Sequence, residues 1–139
     1  MKYIYTMLPV LLLTACAKQS TTPHHTLSLQ QQDGIEISVE NIDANWDYET
    51  GRLDILAEGT DHQLLKLHTH TLHNNKPCIT DVCYSEDEGF AATDVITGSI
   101  DINEADATHA TGTAFVTFTN QAHTATKIII ANFTIYTQQ

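Results

Sequence analysis

The stretch LKLHTHTLHNNKPC, residues 65–78, gathers three of the chain's eight histidines, His68, His70 and His73, with Cys78 closing it. Imidazole and thiolate are ligands that zinc and copper favour. In a strand, residues two apart project from the same face, so His68 and His70 stand side by side, about 6.6 Å apart along the chain. Two imidazoles so placed converge on one zinc ion at about 2.0–2.1 Å. His73 has the opposite parity and joins them only if the turn at Asn74–Asn75 rotates it. The competing reading is a half-exposed strand, with Leu65 and Leu67 on one face and Lys66, His68 and His70 on the other.

Two further clusters carry chemistry. Cys78 and Cys83 stand in PCITDVC, with four residues between them. In an oxidising compartment they are expected to form one local disulfide, which gains about 2 kcal/mol from the closed loop. The spacing suits neither a two-residue redox pair nor a zinc knuckle. The acidic run SEDEG follows, and the expected partner contact is residues 76–89, with Glu86, Asp87 and Glu88 as its candidate contact residues. Asp43, Asn45, Asp47 and Glu49 also alternate, but Tyr48 stands where a calcium loop needs glycine, so an exposed strand face explains them better. Nucleophile elbows, Ser-x-x-Lys pairs and phosphate-cradling glycine loops are absent from the sequence. A binding protein is therefore expected rather than an enzyme.

The elements that must carry these residues read as strands. From residue 33 onward apolar positions recur with period two: Ile35, Ile37 and Val39, then Ile42, Ala44, Trp46 and Tyr48 with shifted parity, which predicts a bulge near Glu40–Asn41. A hairpin is expected over 42–58 about the turn at 49–51, another strand over 63–72, and a kink at Gly98 between Ile96 and Ile100. GTAFVTFT and TKIIIANFTIY form a final hairpin, and three consecutive isoleucines, Ile128 to Ile130, suggest a strand buried on both faces. Threonine is abundant and helical periodicity is missing. The expectation is all-β: a single antiparallel β-sandwich or small barrel of about seven or eight strands over 33–139, with the one local disulfide.

The N-terminus, MKYIYTMLPVLLLTAC, has a lysine, an apolar run of about eleven residues and small residues before Cys16. The run falls short of the roughly 20 residues that span a bilayer. Leu13-Thr14-Ala15-Cys16 resembles the lipobox of bacterial lipoproteins. The resemblance implies a signal peptide over 1–15, cleavage before Cys16 and acylation there, with several acyl chains anchoring the protein in a membrane. Ala17, where that family places an inner-membrane retention aspartate, implies the outer membrane. Residues 16–32, with a proline, His24–His25 and a glutamine run, read as a lipidated, flexible tether.

GSIDI (98–102), GTAFVTFT (112–119) and KIIIANFTIY (127–136) also resemble the C-terminal strands of small all-β bacterial lipoproteins of unknown function. That likeness implies the β architecture and no activity. A third family, acidic disulfide-bearing β lipoproteins that inhibit lysozyme, has a serine-glycine-arginine-tyrosine signature that this chain lacks.

Charge narrows the partners. The chain holds seventeen acidic residues against six Lys and Arg, a formal charge of −11; losing Lys2 with the signal peptide takes it to −12. Such a field repels nucleic acid and anionic lipid. The expected function is non-catalytic binding of a cationic envelope protein or ligand at the outer membrane. Zinc or copper binding through His68 and His70, and inhibition of a cationic host hydrolase such as lysozyme, are the alternatives.

Overall fold

A computed structural model describes residues 23–71, 77–86 and 90–138, with the backbone alone at residues 71 and 91–96. Among the described residues there are nine strands and no helix. They are β1 (Thr26–Gln31), β2 (Glu36–Ile37), β3 (Val39–Asp47), β4 (Arg52–Gly59), β5 (Leu64–Thr71), β6 (Pro77–Glu86), β7 (Phe90–Ala105), β8 (His109–Asn120) and β9 (Thr126–Tyr136). Cys16 and the segment expected to be a signal peptide lie outside the described residues, as do His73, Asp87 and Glu88.

Alternation explains why these segments are strands. Leu53, Ile55 and Ala57 are buried on one face of β4, and Ile129, Ala131, Phe133 and Ile135 on one face of β9. A strand with one apolar face is stable only if that face is covered, and here the faces cover one another. Every strand pairing is antiparallel, in the order β2-β1-β9-β8-β7-β6-β5-β4-β3. The ladder divides into two sheets where β7 meets β6. β7 pairs with β6 only at Phe90 and Ala91, then follows β8 from Ala92 to Ala105. The strands at the two ends of the order, β2 and β3, are separated in the chain by Ser38 alone. The sheets therefore meet along both edges and enclose a single apolar cluster, a β-sandwich-like arrangement.

Large side chains from both sheets fill that interior. Tyr84 of β6 packs on Phe118 of β8 with ring centroids 5.7 Å apart. Trp46, almost fully buried, donates its indole N–H to the Asp106 carbonyl at 2.8 Å, tying β3 to the turn after β7. One half-buried polar cluster ties the sheets at the other end. The Tyr84 hydroxyl donates to Glu86 Oε1 at 2.6 Å, and Lys127 of β9 donates to Glu86 Oε2 at 2.5 Å while lying over the Phe90 ring.

Several expectations are met. The register shifts between Val39 and Asn41, the hairpins β3–β4 and β8–β9 form, and a register shift in β7 falls at Val95–Thr97, next to Gly98. Gly51, with a φ of 65°, makes the first hairpin's turn in the left-handed region that glycine enters without penalty.

Others are corrected. Residues 26–31, expected in the tether, are β1, held between β2 and β9; Leu29 supplies the apolar anchor that the polar composition hides. Ile128 and Ile130 are only half-buried, on the outer face, while Ile129 alone of the three reaches the core. The local disulfide is not formed: Cys78 and Cys83 are both free thiols. They lie in one strand, opposite His70 and Lys66 of β5, whose four-position spacing sets the two cysteines about 13 Å apart. A disulfide needs its Cα atoms within about 7 Å. The expected loop is instead extended strand.

Candidate functional site

The outer face of β3, β4, β5 and β6 collects most of the chemistry. Antiparallel register lays the residues out in rows. One row runs Asn45, Asp54, His68, Asp81 and the next Asp43, Leu56, Lys66, Cys83. Each belongs to the polar parity of its strand, because the alternate residues are committed to the core. A bulge in β6 opposite His68–Thr69 returns Asp81 to this face.

The charges on this face pair both across strands and along them. His68 Nδ1 meets Asp54 Oδ1, and Arg52 Nε lies 2.8 Å from the other Asp54 oxygen. Burial pushes the Asp54 carboxyl up, but the hydrogen bonds from His68 and Arg52 outweigh it and hold it below the usual range. Lys66 Nζ reaches Asp81 Oδ2 at 2.7 Å; that hydrogen bond pulls the carboxyl down and the ammonium up. Both members of that pair are well exposed, so it adds little stability.

A shallow cleft of about 340 Å³ opens on this surface. Asp43, Asn45, Asp54, Lys66 and His68 surround Leu56, whose side chain is 38% exposed. The C-terminus bounds the cleft: Gln138 donates its backbone N–H to Asn45 Oδ1 and its amide to the Ala44 carbonyl at 3.1 Å. An apolar spot ringed by fixed polar groups suits a cationic side chain with an aliphatic stem, as lysine and arginine have. Asp54 orients His68 as the carboxylate of a hydrolase orients its histidine. No serine, threonine or cysteine is among the described residues lining the cleft.

The structure brings some expected residues together and separates others. His68 and His70 share the outer face, as their spacing predicts, and His70 is exposed opposite Cys78. Among the described residues, no three His, Cys, Asp or Glu side chains gather as a metal-holding group. Glu86, expected as a partner contact, accepts hydrogen bonds from Tyr84 and Lys127. His25, expected in the solvated tether, accepts the Tyr136 backbone N–H through Nδ1 at 3.1 Å. Sequence reasoning missed Asp54 and Asp81 as partners of His68 and Lys66. Their parity was readable, but the register that sets both opposite His68, with Asp81 diagonal to Lys66, is not local information.

Comparison with protein-family models, with curated proteins and with solved structures finds no match to this chain.

Proposed function

We propose that the protein is an outer-membrane lipoprotein, anchored through Cys16, whose β-sandwich binds a cationic envelope protein or ligand without transforming it. The observation that carries this reading is the cleft on β3–β5, where Asp43 and Asp54 stand around the exposed Leu56. The formal charge of −11 adds long-range attraction for a basic partner and quickens its arrival. Lys66 and His68 sharpen the pattern, since a partner must offer its charge to the carboxylates and avoid these two.

The test is site-specific photo-crosslinking in intact envelopes, with the reactive group at position 56 and a control at position 35, exposed between β1 and β2 of the opposite sheet. A defined adduct from position 56 is expected, lost with Asp54→Lys and weakened at high salt. Equal labelling from both positions, or an adduct indifferent to Asp54→Lys, refutes the reading.

One observation favours zinc as a second reading. A carboxylate on the far nitrogen of an imidazole is the usual support of a zinc-bound histidine, and Asp54 occupies that place on His68. His70 would supply the neighbouring ligand. Calorimetric titration with zinc decides: silence at micromolar metal removes this reading.

A further inference from the structure

The other sheet presents a surface of different chemistry. On the outer face of β1, β9, β8 and β7, one row across the strands is Thr26, Thr134, Thr111 and Glu104. The next is Ser28, Asn132, Thr113 and Asp101. Apart from the two acids at the β7 end, these rows are short neutral hydroxyls and one amide. In a chain with seventeen acidic residues, that is a local gap in the charge.

Longer side chains stand on either side. Gln30, Ile130, Phe115 and Ser99 form the row beyond Thr113, and Phe115 is 39% exposed. Beyond Thr111 come His109 and Tyr136, paired across β8 and β9 with ring centroids 5.7 Å apart. A concavity of about 390 Å³ lies over the short rows, lined by Thr26, Ser28, Thr111, Thr113, Asn132 and Thr134, and the rows that carry the aromatic rings flank this trough on either side. His109 and Phe115 are six residues apart in one strand, so the flanking rows stand about 20 Å apart.

We propose that this trough binds an uncharged oligosaccharide. Threonine and serine hydroxyls both donate and accept, as sugar hydroxyls do, so each floor residue can meet a ligand hydroxyl in either sense. Thr113 donates to Asn132 Oδ1 at 2.8 Å, which fixes that amide and leaves its N–H donors for a ligand. The C–H faces of a sugar ring are apolar and pack on aromatic rings, which Phe115 and Tyr136 provide at the two ends. Other ligand classes fit less well. An anion is repelled by the chain's field, and a cation meets carboxylates in these rows only at the β7 end, at Asp101 and Glu104. An apolar peptide would bury the floor hydroxyls without partners, at a cost for each. The two sites lie on opposite sheets, so this inference stands or falls independently of the cationic partner.

The test is calorimetric titration of the full chain with cellohexaose, chitohexaose, mannohexaose and laminarihexaose, with hexagalacturonate as the charged comparison. Saturable binding of at least one neutral hexasaccharide is expected. Phe115→Ala should weaken it by about tenfold, Thr113→Glu should abolish it, and Leu56→Ala should leave it unchanged. Phe115 lies outside the core, so its truncation keeps the fold even if the charged variant does not. Binding of none of the four, equal or tighter binding of hexagalacturonate, or indifference to Phe115→Ala overturns the proposal.

Discussion

Lys127→Met tests how the two sheets are held at the β6–β9 end. Lys127 gives Glu86 its only cationic hydrogen bond among the described residues, at 2.5 Å, and covers the Phe90 ring at 5.2 Å from its centroid. Removing one partner of a fully buried ion pair costs about 3–5 kcal/mol, because the other charge is left uncompensated. Here the two side chains keep 26% and 19% exposure, so water relieves part of that loss. Tyr84 still donates to Glu86 at 2.6 Å. A cost of about 1–3 kcal/mol follows, including the lost cation–ring contact. The buried Trp46, the chain's single tryptophan, reports unfolding by fluorescence in urea. The midpoint should fall by on the order of 1 M.

The pH dependence supplies a second check on Lys127→Met. Burial pushes the Glu86 carboxyl up, but the hydrogen bonds from Lys127 and Tyr84 outweigh it and leave it lowered. A carboxyl lowered in the folded state stabilises above its unfolded value, about 4.3, and that contribution is lost as pH falls through the folded value. The gap between wild type and Lys127→Met should therefore be widest near neutrality and narrow in acid. A gap below about 0.5 kcal/mol at neutral pH, or one that does not change on acidification, would refute the reasoning.

Three further outcomes follow from particular residues. Burial lowers the His25 pKa, with Asp43 partly opposing, so the neutral imidazole that accepts from Tyr136 contributes stability present above about 6.5 and lost as pH falls toward the folded value; His25→Gln should flatten the urea midpoint through that window. Gly112→Ala places a methyl 2.3 Å from the Asp101 carbonyl oxygen and 2.8 Å from Phe133, so it should cost at least about 1–3 kcal/mol by overpacking in a thermal melt. Cys78 and Cys83 should both react with a thiol reagent in protein never exposed to reductant, and changing both to serine should move stability by no more than about 0.5 kcal/mol; a mass two hydrogens short would show a disulfide after all.

The site was legible only in part. His68 and His70 announce a shared face, since two residues apart in a strand means the same side. Asp54 carries no such mark. It is one acidic residue among seventeen, and its meaning comes from lying opposite His68 in the register of β4 and β5. Glu86 misleads for the complementary reason. It stands in an acidic run and reads as solvated, yet it accepts a hydrogen bond from Lys127, forty-one residues on. The cysteines misled through distance: four intervening residues are a short loop only if the chain turns, and these residues continue a strand.

The amino-acid order by itself determined the class of this protein. Alternation with period two commits each segment to one buried and one exposed face, and no other regular structure satisfies that pattern. It also determined the bulge at Val39–Asn41 and both hairpins, because parity shifts and turn residues act over a few positions. Which strands become neighbours, and so which side chains meet, was decided by the tertiary structure. Leu29 draws β1 out of a polar segment and seats it on β9, more than a hundred residues away for the pair Thr26–Thr134. That contact closes the sheet order, sets the threonine rows side by side and leaves the charged rows on the opposite face. Long-range pairing depends on the total apolar surface the chain can cover, which is a property of the whole and of no segment in it.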